Sequence, residues 1–317
     1  MPDRKPDGFV PLAERARPSI LAAELMLLTA LAGLWLSSLA VGALAPGDGA
    51  ELWMDLLYYG PFVLAPIVVY CARRGNLSDG LRLNPLPVVP TLMIAFMALL
   101  SVFASSAING LWGMLLNGLG LSEPQAALEV GGSRDLMLAV IHTAAIPAVC
   151  EELLFRGVVF SAFERRGTAV GIGVSSVLFG LLHGNVYGLP AYILVGAVSG
   201  LIVFMVDSVY AGMLYHTVYN AAILVLLHWA EQLPELSEAS ASANMTMAMV
   251  MDFALMAVAI SMMLTALNLR RRAVGIEAVP ATPARMSGWE KALMVVLLLA
   301  LAASMAVVQA LAAGVSA

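Results

Sequence analysis

The stretch Cys150-Glu151-Glu152-Leu153-Leu154-Phe155-Arg156-Gly157 decides how this sequence can fold. It carries two carboxylates and one guanidinium within an otherwise apolar segment, residues 135–163, which is long enough to cross a bilayer. A charge at the centre of a membrane helix costs about 2.5–3.5 kcal/mol. This part of the helix must therefore contact protein or water instead of lipid, and ionisable residues in such a position indicate a functional site.

The composition of the whole chain is that of a polytopic membrane protein. Of the 317 residues, 61% are hydrophobic and only 12% are charged, whereas soluble domains carry about 25% charged residues. The two cysteines, Cys71 and Cys150, lie in apolar segments and predict neither a disulfide framework nor a zinc cluster. We expect the lipid bilayer to surround this protein, and we expect no nucleic-acid partner.

Apolar runs predict an all-α transmembrane helical bundle with nine spans, eight being the alternative count. The predicted spans are residues 19–44, 51–72, 86–116, 135–163, 168–187, 191–206, 207–229, 245–269 and 292–315. Asp207 falls at the end of a span, where capping or snorkelling towards the membrane surface explains a charged residue.

The basic residues support this map. With the N-terminus inside, fourteen of the 16 Lys and Arg residues fall in cytoplasmic segments; the exceptions are Arg134, in an outside loop, and Arg156, within a span. This asymmetry follows the positive-inside rule. It predicts a multi-pass protein of the cell membrane with a cytoplasmic N-terminus and an external C-terminus. Residues 1–18 are interpreted as a cytoplasmic tail and not as a signal peptide.

Three polar constellations lie inside the spans, and each contains two residues spaced four apart, which share one helix face. They are Glu151 and Glu152 with Arg156, Phe179 with His183, and His216 with Asn220. Counted from the predicted cytoplasmic ends at ~1.5 Å per residue, these groups lie roughly 14–24 Å deep. Three separate helices are therefore expected to bring their polar groups to one layer of the membrane.

The two adjacent carboxylates should have different roles. Glu152 precedes Arg156 by four residues, the favourable order for a helical ion pair, so we expect Arg156 to hold Glu152 ionised in a structural role. Glu151 points about 100° away and lacks that partner. Desolvation should make Glu151 the more basic carboxylate, which suits a general base.

The remaining polar groups complete a hydrolytic site. A neutral His183 can orient a water molecule together with Glu151, while His216 and Asn220 can donate hydrogen bonds to a developing oxyanion. These residue types, brought to one point, predict the hydrolysis of a peptide bond inside the membrane.

The motifs Glu151-Glu152-x-x-Phe155-Arg156-Gly157, Phe179-x-x-x-His183 and His216-x-x-x-Asn220 resemble, in order and spacing, those of the CPBP family. These are the CAAX-protease and bacteriocin-processing membrane proteins, also called Abi proteins, and they include the type II CAAX prenyl proteases. The resemblance covers about residues 136–227. It implies an intramembrane glutamic endopeptidase in which Glu151 and His183 activate water and His216 and Asn220 form the oxyanion hole. Glu152, Arg156 and Phe179 would then be supporting residues.

The map of spans, with the resemblance in its middle, suggests a division of the chain into four parts. These are a cytoplasmic tail (1–18), three N-terminal helices with a loop (19–134), a CPBP-like catalytic core (135–230), and C-terminal loops with two helices (231–317). The substrate would be a membrane-associated protein or peptide, prenylated or not. The sequence carries no information on oligomeric state.

We expect no cofactor, because Asn220 is a poor zinc ligand and few other donors are at hand. Zinc stays an alternative, since two His and one Glu form a legitimate zinc site and the family was first described as metalloproteases.

Two other functional classes stay open. A non-catalytic scaffold or immunity-type membrane protein could keep the polar cluster for stability, but it would have little reason to keep Glu151, His183, His216 and Asn220 together. A proton-coupled transporter could use intramembrane Glu and His as a relay, but the sequence shows no repeated halves with paired broken helices.

Overall fold

A computed structural model describes residues 17–44, 51–72, 77–121, 133–232, 245–276 and 286–315. Every regular element within these ranges is a helix, which confirms the all-α prediction. The elements are α1 (Ile20–Leu44), α2 (Glu51–Ala72), the short α3 (Leu77–Gly80), α4 (Val88–Gly118), the continuous helical run α5 (133–166), α6 (Thr168–Leu182), α7 (Leu189–Val206), α8 (Val209–Gln232), α9 (Met245–Ala273) and α10 (Gly288–Val315).

The multi-pass membrane architecture is confirmed. In the described part of the chain, seven helices are long and apolar enough to cross a bilayer. They are α1, α4, α5, α7, α8, α9 and α10. Two shorter apolar helical segments, Leu57–Val68 in α2 and Thr168–Leu182 in α6, fall below that length. Seven full spans and two shorter apolar segments agree roughly with the predicted count of nine.

Buried side chains form two apolar clusters that meet at α5 and α6. One cluster joins α1, α2, α5, α6 and α10 and contains Phe155 and Phe179. The other joins α4, α7, α8 and α9, and it contains Tyr215 together with Phe160 of α5. Because α5 contributes to both clusters, the charged stretch predicted from the sequence lies between them, away from lipid.

Helix α5 is not a uniform α-helix. Two π-helical segments, Val140–Ala145 and Leu153–Phe160, flank the α-helical Ile146–Glu152, which ends in the two carboxylates. Pro147 explains the first π segment: it has no N–H to give to the carbonyl of Thr143, four residues earlier, so the α pattern is interrupted there. Since π turns are rare and concentrate at functional sites, this geometry agrees with a site at the end of Ile146–Glu152.

A buried ionic cluster ties the end of α5 to the junction of α7 and α8. Arg82 is 2.5 Å from the Glu164 carboxylate and 3.5 Å from Asp207, and Arg17 is 2.9 Å from the same Glu164 oxygen. The Asn84 amide donates to the Asp207 carboxylate at 3.0 Å. These contacts fix one end of the helices that carry the site.

Asp207 differs in part from its expected role. It ends α7 in the left-handed conformation, with φ +56°, as a capping residue does. Its side chain does not snorkel, however, because it is fully buried beside Arg82.

Candidate active site

Glu152 lies at the centre of a fully buried polar network. Its Oε1 atom is 2.8 Å from Nη1 of Arg156 and 3.4 Å from Nδ1 of His216. Its Oε2 atom accepts a hydrogen bond of 2.7 Å from the Ser199 hydroxyl. A Cβ atom at Gly212 would collide with this carboxylate, so a glycine leaves the room that the network needs. The ion pair between Glu152 and Arg156 forms as the sequence predicts.

Arg156 is held by three different helices. Besides the ion pair within α5, its Nη2 atom donates to the carbonyl of Gly196 in α7 at 2.8 Å. The guanidinium carbon also lies 4.8 Å from the ring centroid of Phe179 in α6, a cation–π contact. A guanidinium with no solvent exposure needs such a set of partners, because an unpaired buried charge is strongly destabilising.

Glu151 has a different environment from its neighbour. Its side chain is mostly buried, and its Oε2 atom has no hydrogen-bond partner within the described ranges. The His183 imidazole lies close by, with its Nε2 atom 4.0 Å from Oε2. This separation exceeds a direct hydrogen bond and is of the kind that a bridging water spans.

His183 caps the C-terminal end of α6, and its ring orientation is defined by two aromatic rings and a carbonyl. Nδ1 lies 2.8 Å from the carbonyl oxygen of Phe179, which can only accept, so Nδ1 carries a proton. In the neutral ring, Nε2 is then an acceptor that faces Glu151. The imidazole stacks on Tyr192 at a centroid distance of 4.1 Å and meets the Phe179 ring at 4.6 Å.

Helix α8 brings His216 to the site and places Asn220 against an earlier turn of α5. His216 is buried, 5.5 Å from the ring centroid of Phe179, and its Nδ1 atom faces Glu152. Asn220 lies one turn further along and is half-buried; its amide donates to the carbonyl of Thr143 at 3.4 Å. The structure thus brings together Glu151, Glu152, Arg156, Phe179, His183 and His216. Asn220 instead contacts Thr143, eight residues before Glu151 on α5.

Several contacts of this site have only weak signals in the sequence. Ser199 and Gly212 are small residues in apolar helices, and such residues are typical of close helix packing. This signal could have indicated a contact with α5. Tyr192 and the Thr143 carbonyl have no local signal, because their partners lie on other elements. The pairing of His216 with Glu152 was likewise not expected from the sequence.

The site does not resemble a metal centre. Within the part of the chain that the structure describes, no three His, Cys, Asp or Glu side chains are grouped so that they could hold a metal ion. The residues present therefore do not fit a bound zinc, and hydrolysis without a cofactor stays a prediction.

Residues 133–222 match the family model described as type II CAAX prenyl endopeptidase, Rce1-like. The matched segment runs from the start of α5 into α8 and contains all of the site residues named above. It confirms the resemblance to the CAAX-protease family that the three motifs indicate. No curated protein and no solved structure matches this chain.

Proposed function

We propose that this protein is an intramembrane endopeptidase that hydrolyses a peptide bond of a membrane-associated protein or peptide. One observation carries the proposal: Oε2 of Glu151 and Nε2 of His183, from two helices, face each other at 4.0 Å. The match of this segment to a CAAX endopeptidase family supports the same reaction class.

In the proposed reaction, a water molecule binds between Glu151 and His183. Glu151 takes one proton as general base, and the water oxygen attacks the carbonyl carbon of the scissile peptide bond. His183 orients the water through the unprotonated Nε2 atom. When the carbon–nitrogen bond breaks, Glu151 returns its proton to the leaving amine, so that the enzyme ends in its starting state.

The negative charge that develops on the carbonyl oxygen is stabilised by α8 in this proposal. Asn220 has two N–H donors, of which one makes a long bond to the Thr143 carbonyl, 3.4 Å. The other N–H can donate to the oxyanion. His216 can donate through Nε2, and the positive charge that it then carries would lie beside the Glu152 carboxylate.

A function as a non-catalytic scaffold explains only half of this arrangement. A purely structural network accounts for Glu152, since each of its oxygens faces a donor. It gives no role to Glu151, whose Oε2 atom faces the His183 imidazole at 4.0 Å, beyond hydrogen-bond distance. Hydrolysis gives the facing pair of Glu151 and His183 a role, so it explains more of the site than a scaffold does.

The proposal is tested by comparing new peptide termini in native membranes that contain the parent protein or Glu151→Gln. Glu24→Gln is the matched control, because Glu24 is also a buried glutamate but lies on α1. We expect new termini in membrane-associated proteins with the parent and with Glu24→Gln, and none with Glu151→Gln. A set of termini that does not depend on Glu151 would refute the proposed function.

The substrate class is then refined with purified protein in lipid vesicles. Two peptides of one sequence, ending in Cys and three further residues, are compared with and without a farnesyl group on the cysteine. Cleavage of the farnesylated peptide alone would identify a prenyl endopeptidase. Cleavage of both peptides would identify an endopeptidase that does not require the lipid.

A further inference from the structure

His183 occupies a position that gives its side chain little support from its own helix. It caps α6, and the chain turns immediately afterwards at Gly184, which has φ +66°. A quarter of the His183 side chain is exposed. Because no further helical turn follows, α6 contacts the imidazole through Phe179, one turn earlier, and additional support has to come from another helix.

Tyr192 supplies such a contact from α7. It lies in the first turn of α7, and its ring is stacked on the imidazole at 4.1 Å with an angle of 20° between the two planes. Phe179 approaches the imidazole at 60° to its plane. The carbonyl of Phe179 fixes Nδ1 at the ring edge. Tyr192 therefore limits the tilt of the ring, and the carbonyl limits its rotation.

Gly188 leaves space for the Tyr192 ring. A Cβ atom at Gly188 would lie 2.5 Å from Cε2 and 2.7 Å from Cζ of Tyr192. Gly188 has φ −83° and ψ −7°, a conformation that other residues also adopt. Glycine is thus required at position 188 because a side chain there would collide with the Tyr192 ring. The backbone conformation at this position does not require glycine.

We propose that Tyr192 is a positioning residue, which holds the His183 imidazole so that Nε2 faces Glu151. The inference rests on the proposed function, and it adds to the site a residue that belongs to none of the three motifs. Since stacking uses the ring, a phenylalanine at this position fulfils the role and a leucine does not.

The contact itself is tested without any substrate. The ¹³Cε1–¹H resonances of the 4 histidines are recorded in detergent, and His183 is assigned from the peak that His183→Gln removes. A stacked ring shifts such a resonance upfield. We expect Tyr192→Leu to remove this shift and Tyr192→Phe to keep it. Gly188→Ala should also change it, because the added Cβ displaces an intact Tyr192.

Three outcomes of the spectroscopy are informative. A change at His183 in Tyr192→Leu and in Gly188→Ala, with the other three histidines unmoved, supports the proposal. An unchanged His183 resonance in both variants overturns it. A change of all resonances together also overturns it, because Tyr192 would then support the fold in general.

Turnover tests the consequence for the reaction. With a peptide that the parent cleaves, Tyr192→Leu and Gly188→Ala should lower kcat about 10–100-fold, the effect of a small misplacement of a catalytic group, with KM unchanged. Tyr192→Phe should cleave like the parent. The control is Tyr70→Leu, because Tyr70 is a buried tyrosine that bonds to the Gly80 carbonyl; its Tm should fall without a change in kcat.

The two proposals fail in different ways. If Tyr192→Phe is as inactive as Tyr192→Leu, or if only KM rises, Tyr192 does not position His183. If the parent cleaves nothing and produces no new termini, the proposed function is wrong, and the resonance of His183 still decides whether Tyr192 orients the ring.

Discussion

The Nδ1 atom of His216 lies 3.4 Å from the Oε1 atom of Glu152, across the interface of α8 and α5. The same carboxylate oxygen is 2.8 Å from the Arg156 guanidinium. Glu152 therefore connects a helix that carries the proposed base to a helix that carries the proposed oxyanion donors. Replacing Glu152 should therefore lower the stability of the fold more directly than it lowers the rate of any chemical step.

We expect Glu152→Gln to be strongly destabilising, by about 3–5 kcal/mol, because it leaves the buried Arg156 charge without its partner. The measurement is the thermal midpoint in detergent, followed by the yield of folded protein. The double variant Glu152→Gln/Arg156→Gln should be more stable than the single one, since it removes both charges. A single variant as stable as the parent would show that the ion pair does not support the bundle.

Glu151→Gln should have the opposite effect: it should lower activity and leave stability unchanged. It removes the proposed general base but keeps the shape of the side chain, so the cleavage rate should fall about 10²–10⁴-fold while the thermal midpoint stays close to that of the parent. His183→Ala should lower the rate similarly. Should Glu151→Gln cleave normally while a folded Glu152→Gln is inactive, the roles of the two carboxylates are reversed.

Asn220→Ala should have a smaller effect on cleavage. The loss of one oxyanion donor lowers kcat by a factor on the order of 10²–10³, and the long bond to Thr143 adds little stability, so folding should be unaffected. The matched control is Asn268→Ala in α9, where the side chain accepts from Arg271. Equal rates for both variants would argue against an oxyanion role for Asn220.

Metal dependence is decided by elemental analysis of purified, active protein. We expect sub-stoichiometric zinc and a cleavage rate that does not change after dialysis against a chelator. Activity that disappears with the chelator and returns with zinc would instead show that the metal-free reaction is wrong.

The predicted orientation is tested in intact cells with a membrane-impermeant thiol reagent. Ser240→Cys, in a predicted outside loop, should be modified, and Ser287→Cys, in a predicted cytoplasmic loop, should not. The parent protein, with Cys71 and Cys150 only, gives the background. Modification of Ser287→Cys would contradict a cytoplasmic N-terminus with nine spans.

The helices and the polar motifs could be predicted because both follow local rules. Apolar runs mark the spans, and a four-residue spacing puts two residues on one helix face. The ion pair of Glu152 with Arg156 is of this kind. The bond between Ser199 and Glu152 joins residues 47 apart in the sequence, and no local period encodes such a pairing.

The buried ionic cluster was missed for the same reason. Arg82 contacts Glu164 and Asp207, which are 82 and 125 residues away. In the sequence these residues look like charges of loops and span ends, since each stands next to a predicted turn. Only the packing of α5 against the junction of α7 and α8 brings them together. Tyr192 likewise depends on the turn that returns α7 onto α6.

The two π segments of α5 change how this helix can be compared with others. Each π turn holds an additional residue relative to an α-helix, so residues after it are rotated by roughly 100° about the helix axis. In a homologue whose corresponding helix is purely α-helical, the two glutamates would face the same direction only if the helix were one residue shorter on the N-terminal side of them. An alignment of such a homologue with this chain through Val140–Ala145 therefore needs a gap of one position inside a helix.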